Sequence, residues 1–311
     1  MDKTLDEAKF LLKKYNQEHL LNGYENLDEN KKQVLLNQIF DTDFELIKSL
    51  YANTKKQLDN NDDKIEPMDY MDKFKLNEKY KYYENIGKDA IKQGKLAAVT
   101  MAGGQGTRLG HNGPKGTYDI GLDSHKSLFE LLADALKEEG KKYDVTIPWF
   151  IMTSRENNAE TVEFFDKHKY FGYQKDKNIF FFIQGELPMV DTEGKILIGE
   201  DGLIKKAADG HGGIYESLVK NGMTEKMRQL GVEWVFIGGV DNCLVKMVDP
   251  VLMGIAIDKK VTVACKSIVK ANPHEKVGVF CKRDGKPSVI EYSEITDEMA
   301  EAVDENGELL Y

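Results

Sequence analysis

Apolar residues recur at helical spacing through the first third of the chain. Leu5, Ala8, Leu11 and Leu12 form one stripe, Val34, Leu35 and Ile39 a second, and Phe44, Leu46, Ile47 and Leu50 a third. They stand on a background rich in Lys, Glu, Asp and Asn and almost free of Gly and Pro. A stripe at this period buries one face of a helix and leaves the other in water, so two or three amphipathic helices are predicted. A polar loop follows over 55–64, then a helix over 80–94 that closes on Gly94 as its C-terminal cap. From Leu96 the texture changes. Short apolar runs at 96–101, 147–152, 179–183, 232–238 and 261–269 read as strands, and helical patterns lie between them. Ser127 and Glu130 have the spacing of a capping box opening a helix whose Leu128, Leu131, Leu132 and Leu136 share a face and which Gly140 ends. Further helices are expected over 156–168, from 213–222 onward and over 251–258. Residues 277–281 and 288–292 read as a hairpin turned by Asp284-Gly285. Alternating strands and helices predict an α/β fold with a mostly parallel sheet, residues 95–311, behind a helical region, residues 1–94.

The densest chemistry follows the first predicted strand. Glycines stand at 103, 104, 106, 110, 113 and 116, with Arg108 and Lys115 among them. Glycine lets backbone approach a ligand closely, and successive N–H groups in such a turn form a nest for an anion. At the carboxyl end of a sheet strand, this combination points to a nucleoside triphosphate. Two commoner phosphate loops are excluded. No G-x-x-x-x-G-K-[ST] run exists, and counting from Gly104 and Gly106 the third glycine of a dinucleotide fingerprint falls on Leu109, one residue short of Gly110.

Composition narrows the class. Hydrophobic content of 41% and charged content of 31% describe an ordinary globular chain. A net charge of −10 argues against nucleic-acid binding and requires any anionic substrate to be met by locally gathered cations, which Arg108 and Lys115 supply. No apolar run reaches the ~18 residues of a membrane span, and the first residues, MDKTLDEAKF, contain no apolar signal region. Cys243, Cys265 and Cys281 are odd in number and widely spaced, as expected for reduced thiols of a cytoplasmic protein, acting as small buried hydrophobes on strands. Asp241 follows the strand over 232–238. A carboxylate there suits either Mg²⁺ bound with phosphates or the N-cap of a helix.

The run from Met101 to Gly110 (MAGGQGTRLG) followed by Pro114-Lys115-Gly116 resembles the signature of the eukaryotic-type UDP-sugar pyrophosphorylases, nearest the branch specific for N-acetylglucosamine. The likeness continues in order. Gln184-Gly-x-Leu-Pro188, Asp209-Gly-His-Gly-Gly213, Val240-Asp-Asn242, Gly278 and Glu291 match family positions, and it covers the chain from about residue 17 to Tyr311. The resemblance implies a nucleotide-diphospho-sugar transferase fold, a mixed, mostly parallel Rossmann-like sheet flanked by helices, with a supporting N-terminal region. It implies a uridylyltransferase that joins UTP and a hexose 1-phosphate and releases pyrophosphate with Mg²⁺, without nucleic acid or membrane, in an oligomeric state the sequence leaves open. Arg108 and Lys115 would be catalytic. Met101, Ala102, Gly103, Gly104, Gln184 and Gly212 would meet the nucleotide, His211, Gly278 and Glu291 the sugar, and Asp241 the metal. His211 stands where N-acetylglucosamine enzymes mostly carry Asn and glucose enzymes His, so both sugars stay open. The family continues beyond the equivalent of Tyr311 with further sugar-site residues, a lysine and another domain, so the chain reads as a catalytic domain cut short.

Overall fold

A computed structural model describes residues 4–55 and 64–311. The loop expected over 55–64 falls almost wholly outside them. Three N-terminal helices, α1 (Leu5–Lys14), α2 (Glu29–Asp41) and α3 (Phe44–Lys55), precede a short strand β1 (Ile65–Pro67) and helix α4 (Glu78–Lys92). The α/β region follows as β2 (Leu96–Met101), α5 (Leu128–Tyr143), β3 (Trp149–Thr153), α6 (Asn158–Lys167), β4 (Ile179–Ile183), β5 (Glu186–Pro188), β6 (Lys206–Ala208), α7 (Ile214–Lys220), α8 (Met223–Gln229), β7 (Trp234–Gly239) and α9 (Pro250–Lys259). Strands β8 (Val279–Arg283) and β9 (Lys286–Ile290) and helix α10 (Asp297–Glu301) complete it.

The expected parallel sheet is present, in the order β4-β3-β2-β7, with Ala98 opposite Trp149 and Phe236, and Trp149 opposite Ile179. Strands β2, β3 and β4 are apolar runs rather than alternating ones because both faces are covered. Leu96, Ala98, Trp149, Ile151 and Ile179 face α4, α5, α6 and α9, where they meet Ile91, Phe129, Leu132, Phe165 and Met253. Ala97, Val99, Phe150, Met152, Phe180 and Phe182 face the opposite way, onto Ile214 and Leu218 of α7 and Met227 of α8. A period of two sends neighbours to opposite sides, so one six-residue strand serves two cores.

The N-terminal helices build a separate core. Ala8, Leu12, Leu35, Leu36, Ile39, Phe44 and Ile47 pack on Ile196 and Ile204, in the arm that leaves the sheet through β5 and returns through β6. Side chains fasten this contact. Gln17 donates to Gly194 O at 2.9 Å and accepts from Ile196 N at 2.9 Å, Gln38 accepts from Ile204 N at 2.8 Å, and Tyr51 donates to Thr192 O at 2.7 Å. Antiparallel pairing of β5 with β6 sets Glu186 opposite Ala208, and it thereby brings Gly185 to Asp209. The helices therefore steady an arm whose two roots, Gly185 and Asp209, lie next to the candidate site residues Gln184 and His211.

Four expectations require correction. Residues 261–269 form no strand. Val263, Ile268 and Val269 are exposed, and among the described residues the segment pairs with no strand, leaving β7, whose only partner is β2, as the edge of the sheet. Gly140 does not end α5 but lies inside it, and a Cβ there would stand 2.5 Å from Val145 O. Only half of the capping box forms: Ser127 Oγ accepts from Glu130 N at 3.2 Å. Of the cysteines, Cys281 is buried on β8 as expected. Cys243 lies half-buried and Cys265 exposed, both outside strands. Asp284 and Gly285, at φ 51° and 75°, turn β8 into β9 as the Asp-Gly pair predicts.

Candidate nucleotide site

Strands β2, β4 and β7 end at the same edge of the sheet, and each delivers part of a site there. The chain leaving β2 remains tied to the sheet through Ala102 N, which donates to Met152 O at 2.7 Å. It then folds back on itself, with Gly106 N donating to Gly113 O at 2.8 Å and Lys115 N to Gly104 O at 3.0 Å. Gly113 has φ +138°, a backbone conformation that side chains resist. Gly116 lies flush on the Phe129 ring, where a Cβ would collide. Among the described residues, the N–H groups of Gly103, Gly104 and Gln105 have no acceptor. Three consecutive open amides are what an anion nest needs.

A residue that sequence reasoning missed holds this loop. Asn157 is fully buried in the turn between β3 and α6. Its Nδ2 donates to Ala102 O at 3.0 Å and Gly104 O at 3.3 Å, and its Oδ1 accepts from Ser154 N at 2.9 Å. An Asn at a helix start ordinarily caps that helix, yet Asn157 makes no side-chain cap bond to α6. Its amide is committed to the glycine loop. The available sequence signal, an Asn pair after a strand, reads as a cap.

Lys115 and Asp241 meet. Lys115 Nζ lies 3.2 Å from Asp241 Oδ2, with Lys115 half-buried and Asp241 open to solvent. Burial acts to raise the Asp241 pKa, but the hydrogen bond and charge of Lys115, with a smaller contribution from His211, hold it below the usual carboxylate value. Asp241 is not the cap of the following helix; that is Asp249, which accepts from Val251 N and Leu252 N. Arg108 lies apart, exposed on a single 3-10 turn (Thr107–Leu109) and without an ion pair among the described residues.

After β4, Gln184 is 8% exposed. Its Nε2 donates to Gly210 O at 2.9 Å and to Asp209 Oδ1 at 3.4 Å. Its Oε1 faces the glycine loop, 2.6 Å from where a Cβ on Gly103 would stand. His211 and Gly212 are exposed on the next turn (His211–Gly213). Gly278 and Glu291 meet on the hairpin, with Glu291 Oε1 3.3 Å from a Cβ placed on Gly278. That hairpin has its own small core of Val279, Cys281 and Ile290. Among the described residues, no hydrogen bond or ion pair joins Gly278 or Glu291 to the glycine loop, Gln184 or His211.

No group of three or more His, Cys, Asp or Glu that could hold a metal occurs among the described residues. A single open carboxylate, Asp241, suits a hard cation shared with phosphate oxygens rather than one caged by protein. No described helix is long and apolar enough to cross a membrane.

A parallel α/β sheet with a glycine nest, a cation and a carboxylate at its carboxyl edge has the arrangement in which α/β proteins place ligand sites. The chain belongs to the UDPGP family, described as UTP--glucose-1-phosphate uridylyltransferase, whose profile matches residues 41–308. It is 38% identical over 300 residues to the UDP-N-acetylglucosamine pyrophosphorylase of Saccharomyces cerevisiae, covering 95% of this chain and 62% of that protein. It is 37% identical to UDP-N-acetylglucosamine diphosphorylase 2 of Arabidopsis thaliana, covering 96% of this chain and 63% of the other. The crystal structure of the Trypanosoma brucei UDP-N-acetylglucosamine pyrophosphorylase in complex with an inhibitor superposes with a TM-score of 0.82 at 30% identity. The match covers all of this chain and 64% of that one. The chain thus spans less than two thirds of the length of these relatives.

Proposed function

We propose that this chain carries the UTP site of a uridylyltransferase that makes UDP-N-acetylglucosamine and pyrophosphate from UTP and N-acetylglucosamine 1-phosphate. The observation that carries the reading is the convergence at one sheet edge. Gln184 Oε1 faces Gly103 on one side, and Lys115 meets Asp241 across the ends of β2 and β7 on the other. The relatives named for N-acetylglucosamine favour that sugar. Glucose 1-phosphate is the second reading, favoured by His211 in the turn beside Asp241.

Nucleotidyl transfer needs positioning and charge neutralisation more than proton movement. An oxygen of the sugar phosphate attacks the α-phosphorus of UTP, the bond to the bridging oxygen breaks, and pyrophosphate leaves with the electron pair. The open amides of Gly103 to Gln105 bind phosphate oxygens, and Lys115, released from Asp241, neutralises the α-phosphate. Arg108 swings from solvent onto the departing phosphates. Asp241 would hold Mg²⁺, which supplies neutralisation of the triphosphate when bound. Gln184 reads the base, with Met101, Ala102 and Gly212 lining it, while Gly278 and Glu291 receive the sugar hydroxyls. The helical region, residues 1–94, supports the catalytic region, residues 95–311, and the protein works in the cytoplasm.

Pyrophosphate release from UTP, Mg²⁺ and either sugar phosphate tests the reading. Release with N-acetylglucosamine 1-phosphate outpacing glucose 1-phosphate is expected. Retained UTP binding without release would leave a binding protein rather than an enzyme.

A further inference from the structure

The orientation of the Gln184 amide is determined by its surroundings. A primary amide offers two hydrogens from nitrogen and lone pairs from oxygen, so it can read a base as a donor, an acceptor or both. Here the nitrogen faces two groups that can only accept at neutral pH: the Gly210 carbonyl at 2.9 Å and the Asp209 carboxylate at 3.4 Å. Reversing the amide would place Oε1 against both, an arrangement with no hydrogen between the oxygens. Both hydrogens are therefore used within the protein. Oε1 accepts no hydrogen bond among the described residues and faces Gly103.

Asp209 is itself held firmly. Its N–H donates to Gly185 O at 3.1 Å, and its carboxylate lies between Gly185 and Gly213, at each of which a Cβ would collide with it. Ser217 Oγ, buried on α7, accepts from Gly185 N at 3.0 Å and fixes the other side of the same junction. Gln184 N in turn donates to Thr153 O at 2.8 Å, which keeps its backbone on the sheet. Two glycines, a buried serine and the sheet ladder leave the carboxylate one place to sit.

We infer that Asp209 is a positioning residue for base specificity: with the Gly210 carbonyl it holds Gln184 as a pure acceptor, so the site selects a base with an N–H at the reading position. Uracil carries N3–H there, whereas cytosine presents a lone pair that opposes Oε1. The inference rests on the proposed uridine site and extends it. It gives Gln184 a single bond to N3–H, and it assigns the choice of uracil over cytosine to a residue that does not touch the base.

Titration calorimetry on the unaltered chain with UTP, CTP, 3-methyl-UTP and 4-thio-UTP tests the acceptor. CTP and 3-methyl-UTP, which lack N3–H, should bind at least ~100-fold more weakly than UTP, because a site built for one hydrogen bond rejects a ligand that leaves it unpaired. 4-Thio-UTP keeps N3–H and should bind within ~3-fold of UTP, since no Gln184 hydrogen is left for the 4-position. Equal binding of UTP and 3-methyl-UTP, or a large loss with 4-thio-UTP, overturns the inference while the uridine site stands. If none of the four binds, the uridine reading itself fails and this inference falls with it. Asp209→Ala frees one amide hydrogen and should lower the UTP-over-CTP ratio at least ~5-fold. Asp209→Asn keeps an acceptor oxygen in the same volume and should hold that ratio within ~2-fold of the unaltered chain. A parallel weakening of UTP and CTP in Asp209→Ala, with the ratio unchanged, marks a merely structural residue and overturns the assignment. So does loss of discrimination in Asp209→Asn, which also decides the matter should the alanine variant not fold.

Discussion

Asn157 separates a residue that caps a helix from one that shapes a ligand loop, because the two roles predict opposite effects of one atom. Its side chain makes three hydrogen bonds to backbone, two donated and one accepted, in a fully buried position. Asn157→Ala removes all three. At about 0.5–1.5 kcal/mol net for each bond, the loss is about 2–4 kcal/mol. Asn157→Asp keeps the shape but replaces the donor with an oxygen facing Ala102 O and Gly104 O. A buried carboxylate set against two carbonyls is worse than a void, so this variant should lose at least about 3–5 kcal/mol. If Asn157 were only the cap of α6, Asp would serve equally well, and its charge would favour the helix N-terminus. Urea denaturation at pH 7 measures both variants. The expected order of stability is unaltered chain, then Asn157→Ala, then Asn157→Asp. An Asn157→Asp chain as stable as the parent would refute the argument. Since Ala102 O and Gly104 O flank the open amides, UTP affinity should fall in the same order.

Other consequences are simpler to state. Lys115→Ala and Asp241→Ala should each lower turnover at least tenfold, about 1.4 kcal/mol of transition-state stabilisation. Both should melt within about 1 kcal/mol of the parent, since their ion pair is largely solvated on the Asp side. Gly116→Ala pushes a methyl into the Phe129 ring and should cost about 1–3 kcal/mol by overpacking, read as a lower urea midpoint. Asp249 caps α9 and pairs with Lys266 at 3.0 Å; burial acts to raise its pKa, and the Leu252 and Val251 N–H groups with Lys266 depress it overall. A depressed folded pKa contributes stability above the unfolded value of about 3.9 that is lost as pH falls through the lower folded value. The urea midpoint gap between parent and Asp249→Ala should therefore be steady from pH 8 to 5 and shrink below about pH 4; a gap that widens on acidification would contradict this.

Strands β2, β3 and β4 are legible because they are buried on both faces, and a continuous apolar run such as Ile179–Ile183 survives any choice of neighbour. The glycine loop was legible because only a close approach or a positive φ explains so many glycines beside two cations. Residues 261–269 misled because β-propensity in a single sequence reflects how a side chain fits a pleated, half-buried surface and does not say whether the segment pairs. Gly140 misled because a glycine that ends a helix and one that admits a neighbouring carbonyl look identical in sequence. Asn157 and Asp209 stayed hidden for a related reason. Asn157 acts on backbone carbonyls and Asp209 on a side-chain amide, each far along the chain, and neither pairing carries a sequence signature. Gln184 stands out through a family motif and Lys115 through the glycine loop, but neither signal shows that one is oriented by Asp209 or that the other rests on Asp241.

The most direct measurement is a crystal structure of the chain with UTP and Mg²⁺ bound. The account predicts uracil N3–H on Gln184 Oε1 beside Gly103, phosphate oxygens on the amides of Gly103 to Gln105, and Lys115 parted from Asp241. A nucleotide bound away from that edge, or a Lys115–Asp241 pair intact beneath bound phosphates, would contradict it.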